Sequence, residues 1–234
     1  MIVEREVLLS ALKLTRDGTS TTLEAISKDS RIPIQTVHEA SQMLEREGLI
    51  TMRGDDVGMT SEQRVAAAVK AVKMGADLER ACAFLTWAEF EDISGLAFEA
   101  NGFSLRRHLI FKWSGRRWEV DIVAYRGEII VSVDCKHWRR NWRRSSIRRI
   151  VEAHVERTKA LSEVLLTLGL NLNLKGRLTV VPVVLSLIQG PLKFYMDVPV
   201  VPILQLRDFI GEMVLHIGSM RHFTIESKVL YGDG

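Results

Sequence analysis

The sequence predicts an α/β protein in which helices flank a mixed β-sheet, preceded by a smaller domain of three helices and a β-hairpin. Residues 118–136 alternate between apolar and polar positions, as β-strands do. The predicted helices and strands from residue 79 onwards follow the order α-β-β-β-α-β-β-α, which fits a mixed sheet between helices. The first 60 residues instead show apolar positions at helical spacing. We therefore predict an N-terminal domain over residues 1–60, a connecting helix over 61–78 and the α/β domain over 79–234.

The N-terminal domain carries the start and stop signals of short helices. Its third helix begins near Pro33, a residue tolerated in the first turn of a helix, and ends at Gly48. The segment LITMRGDDVGMT that follows indicates a β-hairpin. This order of elements resembles the winged helix-turn-helix family, in which the third helix enters the major groove of DNA. The residues that this helix would present to DNA are Gln35, Thr36, His38, Glu39 and Gln42, of which Gln35, Thr36 and His38 are the predicted contacts.

Charge is distributed unevenly along the chain. Residues 1–60 carry seven Lys or Arg and ten Asp or Glu, a net charge of −3, so the remainder of this +3 chain carries +6. An acidic domain neutralises phosphate poorly, so it either binds DNA weakly or serves another purpose such as dimerisation. Residues 137–149 contain six Arg and no acid. This basic run favours phosphate contact, and a solvated helix face is the alternative.

The segment WEVDIVAYRGEIIVSVDCK, residues 118–136, predicts two β-strands joined by a tight turn. The apolar run in its second half is typical of a strand buried on both faces. Charges set directly after such a strand either pair with each other or form a site, although any one of them alone is equally well a solvated strand end. Alternation places on one face of the second strand Ser132, Asp134 and Lys136.

The turn of this hairpin determines which residues of the two strands are neighbours. With Arg126 and Gly127 as the two turn residues, Asp121 faces Ser132. Asp134 then lies diagonally from Asp121 on the same face, roughly 5–8 Å away. Two carboxylates at that separation can hold one divalent cation between them.

These residues resemble a known nuclease core. Asp121, a strand, and then Asp134-Cys135-Lys136 is similar to the metal-dependent core of the PD-(D/E)xK superfamily. The residues VDCKHW resemble the corresponding segment of Mrr-type restriction enzymes and archaeal Holliday-junction resolvases. The family usually carries Glu-x-Lys, of which Asp-x-Lys is an accepted variant with a shorter ligand arm. The resemblance covers residues 85–215, approximately.

The family also places an acid on the helix before the hairpin, often after a Phe and ahead of a Gly-aromatic pair. Phe90-Glu91, followed by Gly102-Phe103, matches that pattern. The resemblance therefore implies that Glu91 is the third acid of the site, and Glu99 is the alternative. This helix is predicted over residues 79–100, and other acids on it are Glu89 and Asp92.

The resemblance implies a nuclease that depends on Mg²⁺ or Mn²⁺. Carboxylates suit such hard cations, so Asp121, Asp134 and Glu91 would hold the metal. A metal-bound water has a lowered pKa, and Lys136 would position or deprotonate that water and stabilise the developing charge. Glu119 also falls on this face, and we interpret it as a surface acid paired with a nearby Arg.

The basic run follows the predicted catalytic lysine directly, so it would contact phosphates beside the cleaved bond. Trp138 and Trp142 lie within it, either as base-stacking residues or as core anchors. On the next helix, predicted over residues 147–168, the family often carries an auxiliary polar residue, and His154 is a further candidate. The residues predicted to contact DNA phosphates are Arg139, Arg140, Arg143, Arg144 and Arg148.

The leading functional hypothesis is a DNA endonuclease, either restriction-like or selective for branched DNA, that acts as a homodimer with the N-terminal domain for targeting or dimerisation. A second hypothesis is a catalytically inactive DNA-binding protein or transcription regulator that keeps the nuclease fold. A third is a winged-helix partner of other proteins, whose basic run binds RNA or nothing.

Three features narrow the location of the protein. Cys82 and Cys135 provide neither a disulfide framework nor zinc-binding spacing, which favours reduced cysteines in a cytosolic protein. The N-terminal segment has charges inside its apolar pattern, unlike a signal peptide. No apolar run approaches the ~18 residues needed to span a bilayer. We expect a cytoplasmic protein without a membrane segment.

Overall fold

The computed structural model describes residues 2–138, 143–168 and 176–227. Its chain forms two compact units, residues 1–93 and residues 94–234. The division falls inside a helix, whereas the sequence suggested boundaries after residues 60 and 78. Those domain boundaries stay a prediction.

Both units contain helices and strands. Within the described ranges the helices are α1 (Ile2–Leu14), α2 (Leu23–Ser30), α3 (Ile34–Arg46), α4 (Ser61–Lys73), α5 (Leu78–Ala83), α6 (Trp87–Ala100), α7 (Arg144–Val164) and α8 (Leu206–His216). The strands are β1 (Thr21–Thr22), β2 (Thr51–Arg53), β3 (Asp56–Gly58), β4 (Ser104–Trp113), β5 (Arg116–Arg126), β6 (Ile129–Lys136), β7 (Gly176–Ser186), β8 (Phe194–Tyr195), β9 (Val198–Pro202) and β10 (Phe223–Ser227). None of these helices is both long and apolar enough to cross a membrane.

The first unit contains three helices and a hairpin in the order that the sequence predicts. Thr22 caps α2, because its side chain accepts a hydrogen bond from the amide of Ala25 at 3.1 Å. β2 and β3 pair antiparallel, and the short strand β1 adds to β3 as a third strand that the sequence did not predict. The assignment of this arrangement to the winged-helix family stays a prediction.

Two helices begin differently from the sequence prediction. The sequence predicts Ser61 as the cap of a helix that begins at Glu62, but Thr60 and Gln63 form a capping box that starts α4 at Ser61. The single helix predicted over residues 79–100 is wrong, since the structure has α5 and α6 there. Thr86 and Glu89 exchange two hydrogen bonds, of 2.8 and 3.3 Å, that start a new helix at this point.

A buried arginine joins several elements of the first unit. Arg64 is 1% exposed, and its Nε lies 2.9 Å from Oε1 of Glu89. Its Nη1 donates to the carbonyl of Leu12 and to Oγ1 of Thr15, both at 2.8 Å. Its Nη2 donates to the carbonyl of Phe84 at 2.6 Å. The buried charge is therefore both paired and hydrogen-bonded, as a stable interior requires.

The second unit is built on a mixed sheet with the strand order β4-β5-β6-β7-β9-β8, and β10 pairs with β7. β4, β5 and β6 are antiparallel, whereas β6, β7 and β9 run parallel. The parallel pair β6–β7 requires a crossover, which α7 supplies. The predicted fold class, a mixed sheet with flanking helices, is confirmed. The short strands β8 and β10 were not predicted.

Helix α7 covers part of this sheet with its apolar side. Ile147 and Val151 pack with Val184 of β7, and Leu161 packs with Ile130 of β6. The sequence predicted this helix over residues 147–168, so it begins earlier and ends earlier than expected. Its apolar contacts fix the helix against the strands that carry the candidate site.

Candidate active site

The turn between β5 and β6 lies one residue later than predicted. Arg126 pairs with Ile129, so Gly127 and Glu128 are the two turn residues. Gly127 has a φ of 57°, a left-handed conformation that favours glycine. Glycine at the first central position is the preference of a type II′ hairpin turn. The prediction that Arg126 and Gly127 form the turn was wrong because it placed glycine second.

The shifted turn changes which residues of β5 and β6 are neighbours, and it brings the two aspartates closer together than predicted. Ile122 and Val133 form the last pair of this ladder, and Asp121 and Asp134 are the residues that come next on the two strands; Ser132 pairs with Val123 instead. The register differs from the predicted one by two residues, so every side chain keeps its predicted face. The predicted diagonal relationship is therefore replaced by a direct cross-strand one.

Asp121 is held by the backbone of the neighbouring strand. Its Oδ2 accepts a hydrogen bond from the amide of Cys135 at 2.7 Å. Burial raises the pKa of Asp121, and the negative charge of Asp134 raises it further. The Cys135 hydrogen bond offsets these effects only in part. A carboxylate with a like-charged neighbour is one that a shared cation would stabilise.

Asp134 is buried at 2% exposure and is held by two cations. Nζ of Lys136 lies 2.7 Å from Oδ2, and Nη1 of Arg157 lies 2.6 Å from Oδ1. Burial acts to raise the pKa of Asp134, but His154, Lys136 and Arg157 outweigh it, so this pKa lies below its usual value. Burial lowers the pKa of His154 to about 4, so that ring is neutral near pH 7. At neutral pH the negative charge of Asp134 is therefore stabilised by Lys136 and Arg157.

Polar contacts between α7 and β6 position the arginine. Oγ1 of Thr158 donates to Oγ of Ser132 at 3.1 Å, and Nε2 of His154 lies 2.8 Å from the Ser132 carbonyl, to which it donates. Arg157 precedes Thr158 on the helix, and Asp134 follows Ser132 by two residues on the same strand face. The ion pair is therefore built on a rigid helix–strand contact.

A cleft of about 360 Å³ opens beside Asp134 and Lys136. Arg149 and Arg157 line it from one side of α7, and Trp138 also borders it. Three cationic side chains thus surround one buried carboxylate. Such a cleft attracts anions while keeping a ligand for a cation at its base.

Sequence reasoning missed Arg157. A signal for it was present, because Arg149 and Arg157 stand eight residues apart and so lie on one side of the predicted helix. The same periodicity does not say which side meets Asp134. That information resides in the contact of α7 with β6.

The predicted helix acids have different surroundings. Glu91 lies on α6 in the first unit and is buried at 4% exposure, and its role in metal binding stays a prediction. Glu89 is engaged by Arg64. Glu99, the alternative acid, lies 3.5 Å from Nη2 of Arg107. Both of these other carboxylates therefore serve ion pairs.

Glu119 precedes Asp121 by two residues on β5, further from the hairpin turn. Its side chain is half exposed, and Oε1 lies 3.6 Å from Nδ1 of His108. The sequence suggested an arginine as the partner of Glu119, and the neighbour that the structure shows is His108. The surface location is as predicted.

The basic run is described only in part. The guanidinium of Arg148 lies 5.6 Å from the ring centre of Tyr195. Exposed at the start of α7 are Arg143, Arg144, Arg148 and Arg149. Outside the described residues lie Arg139, Arg140 and Trp142. Phosphate contact by this run stays a prediction.

A second cleft, of about 830 Å³, lies beside α3 in the first unit. Gln35 and His38 line it, and Thr36 is half-buried on the same helix. Its lining residues include no Lys or Arg. The lining carboxylates are Glu24, Glu39 and Asp55. This charge disfavours phosphate, so DNA contact by α3 would have to come from base edges.

The donor set at the main site fits one type of metal. Among the described residues, no group of three or more His, Cys, Asp or Glu is arranged to hold an ion. The site offers the pair Asp121 and Asp134, which suits Mg²⁺ because that ion uses one or two carboxylates and keeps several waters. It does not suit Zn²⁺, which takes three or four protein ligands.

A mixed sheet whose hairpin sets two aspartates beside a lysine defines a core of the nuclease type. Residues 83–170 match the family model Mrr_cat, described as restriction endonuclease. An uncharacterized protein of Archaeoglobus fulgidus is 31% identical over 134 residues, which cover 57% of this chain and 95% of that protein. Residues 83–170 therefore form a domain of the Mrr_cat restriction endonuclease family, as the sequence predicted.

Two solved structures are similar over most of the chain. The crystal structure of protein VC1899 from Vibrio cholerae has a TM-score of 0.41 at 10% identity, covering 92% of this chain and 51% of that one. The structure of restriction endonuclease FokI bound to DNA has a TM-score of 0.36 at 12% identity, covering 92% and 45%. The chain thus spans about half the length of each.

Proposed function

We propose that the protein is a metal-dependent DNA endonuclease that hydrolyses phosphodiester bonds at the site of Asp121, Asp134 and Lys136. One observation carries the proposal. In a chain with a restriction endonuclease domain, Asp121 and Asp134 follow the last pair of the β5–β6 ladder and repel each other, and Lys136 lies 2.7 Å from Asp134. Two carboxylates and a lysine are the groups that this hydrolysis needs.

Asp121 and Asp134 would hold a Mg²⁺ or Mn²⁺ ion, and Glu91 would contribute directly or through water. When bound, a divalent cation lowers the pKa of a coordinated water and reduces the charge on the phosphate. The acidic pair supports this assignment because the raised pKa of Asp121 reflects burial and repulsion by Asp134.

Lys136 would act on the phosphate and on the attacking water. Its side chain is 15% exposed, so it is largely removed from solvent yet borders the cleft. A donor fixed in such a place stabilises charge that develops in the transition state more than it would in water. Lys136 would also orient the water or accept its proton.

The DNA would be held by positive charge around the cleft. Arg149 lines the cleft itself, and the exposed start of α7 extends the positive surface. The run that would contact neighbouring phosphates comprises Arg139, Arg140, Arg143, Arg144 and Arg148. Base contacts in the first unit would come from Gln35, Thr36 and His38. A homodimer would place two such sites on the two DNA strands.

Cleavage assays test the proposal. The full chain should cut plasmid, linear duplex or four-way junction DNA in Mg²⁺ or Mn²⁺ but not in EDTA, and the preferred DNA would separate restriction-like from structure-selective action. Asp134→Asn and Lys136→Ala should abolish cutting. Glu119→Gln is the matched control, because Glu119 is a half-exposed acid of the same hairpin. Full activity in Asp134→Asn and Lys136→Ala would overturn the proposal.

A second candidate is a DNA-binding protein that does not cut. The ion pairs on both oxygens of Asp134 favour it, because Lys136 and Arg157 compete with a metal ion for the charge of this carboxylate. Salt-dependent DNA binding without cleavage in either Mg²⁺ or Mn²⁺ would support this candidate instead.

A further inference from the structure

The ion pair of Arg157 with Asp134 stands where a bound cation would have to act. Nη1 of Arg157 is 2.6 Å from Oδ1 of Asp134, and Lys136 is 2.7 Å from the other oxygen. The Asp134 side chain is 3% exposed, so water compensates little of its charge. A divalent ion can therefore use Asp134 fully only if one of the two cations withdraws.

The charges of the two aspartates and of the two cations paired with Asp134 balance in this state. Asp121 and Asp134 supply two negative charges, and Lys136 and Arg157 supply two positive ones. A divalent cation added to this set leaves an excess of positive charge, which a DNA phosphate would reduce. Binding of the cation and binding of the phosphate are thus expected to favour each other.

Arg157 is the cation better suited to withdraw. Its side chain is 24% exposed, compared with 15% for Lys136, and it borders the cleft. Guanidinium groups bind phosphate through two parallel N–H···O hydrogen bonds. The backbone of α7 is fixed beside it by the contact of Thr158 with Ser132, so only the side chain has to turn.

We propose that Arg157 is an exchangeable counter-ion. It neutralises Asp134 in the metal-free protein, and it transfers to a DNA phosphate when a divalent cation binds. The exchange rests on the proposed function, because it requires Asp134 to bind the cation and the cleft to receive DNA. Its consequence is that the protein binds metal weakly until DNA is present.

Calorimetric titration of the full chain with Mn²⁺ alone tests the first half of the exchange. Arg157→Gln removes the charge but keeps a donor for Asp134, so Mn²⁺ affinity should rise by about tenfold. Arg157→Lys keeps the charge, so its Mn²⁺ affinity should stay near that of the wild type. Arg149→Gln is the matched control, because Arg149 lines the same cleft and forms no ion pair with Asp134 among the described residues.

The second half is tested with a phosphorothioate duplex, which resists cleavage, bound with Mn²⁺ or with EDTA and followed by fluorescence anisotropy. Mn²⁺ should raise DNA affinity strongly in the wild type and much less in Arg157→Gln. If that variant does not fold, Arg157→Lys decides, since a lysine cannot form the two parallel hydrogen bonds and the gain should fall. A gain in Arg157→Lys equal to that of the wild type would then overturn the exchange.

The outcomes separate the two proposals. Unchanged or weaker Mn²⁺ binding in Arg157→Gln, or an equal change in Arg149→Gln, overturns the exchange while a wild type that binds Mn²⁺ and cuts DNA leaves the nuclease assignment intact. Absence of Mn²⁺ binding in every form, with DNA present or absent, overturns both.

Discussion

Asp121 and Asp134 are cross-strand neighbours whose pKa values are displaced in opposite directions. That of Asp121 is raised by burial and by the charge of Asp134, which together outweigh the Cys135 hydrogen bond and the charges of Lys136 and Arg157. That of Asp134 is lowered despite burial, because His154, Lys136 and Arg157 outweigh it. The two carboxylates therefore differ in what their charge contributes to folding.

Neutralising each aspartate should affect stability differently. Asp121→Asn removes a repulsion and keeps an oxygen for the Cys135 amide, so the free energy of unfolding should stay unchanged or rise by up to about 1 kcal/mol. Asp134→Asn leaves Lys136 and Arg157 without their charge partner, and should lower it by about 3 kcal/mol. Urea unfolding measures both. Equal destabilisation by the two substitutions would contradict this difference.

The buried histidine should make folding sensitive to mild acid. His154 has a pKa of about 4 in the folded protein and 6.5 as its ordinary value. Between these values the unfolded chain binds a proton that the folded one excludes, so stability is unaffected above pH 6.5 and falls as pH drops towards 4. The loss is at most about 3 kcal/mol.

A substitution isolates this effect from other titrations. His154→Gln can still donate to the Ser132 carbonyl but does not titrate in this range. Urea unfolding at about pH 7.5 and about pH 4.5 should show the wild type losing more stability than the variant. If both lose the same amount, the histidine is not the group that senses acid.

The sequence predicted which face of a strand each residue occupies better than it predicted which residue lies opposite on the next strand. Period-two alternation placed Ser132, Asp134 and Lys136 on one side of β6, and an even register shift could not disturb that. Which residue of β5 lies opposite depended on the turn, where Gly127 takes the first position rather than the second. The preference for glycine at the first position of a type II′ turn is a local signal of the observed register.

Contacts between residues far apart in the sequence could not be predicted from the local pattern of apolar and polar residues. Arg157 and Asp134 are separated by 23 residues, and the rotation of α7 that joins them is fixed by Thr158 and Ser132. Helix periodicity gives a polar face without saying what it meets. By contrast, Thr86 and Glu89 form a capping box with a plain sequence signal, so the break before α6 was predictable.

The turn glycine provides a test of the observed register. Gly127 has a φ of 57°, so Gly127→Ala should lower the free energy of unfolding by about 1 kcal/mol. Gly211 in α8 is the matched control, because a Cβ there meets nothing within 4 Å and its φ is not positive. Gly211→Ala should therefore be neutral or stabilising by up to about 1 kcal/mol. Guanidinium unfolding of both variants measures the contrast, and a Gly127→Ala protein as stable as wild type would count against this turn.

The Arg64–Glu89 pair should dominate the stability of the first unit. Both side chains are nearly inaccessible to solvent, at 2% and 4% exposure. Arg64→Met would leave a buried carboxylate without its cation and three acceptors, on Leu12, Thr15 and Phe84, without their donor, so the free energy of unfolding should fall by about 3–5 kcal/mol.

The control for this prediction is another arginine of the same unit. Arg80 pairs with Glu6 at 3.2 Å but is 53% exposed, so Arg80→Met should cost less than about 1 kcal/mol. The double variant Arg64→Met with Glu89→Gln should recover part of the loss, because no uncompensated charge then remains buried. Urea unfolding of all three compares them directly. An Arg64→Met protein no less stable than Arg80→Met would show that the buried pair contributes no more than a surface one.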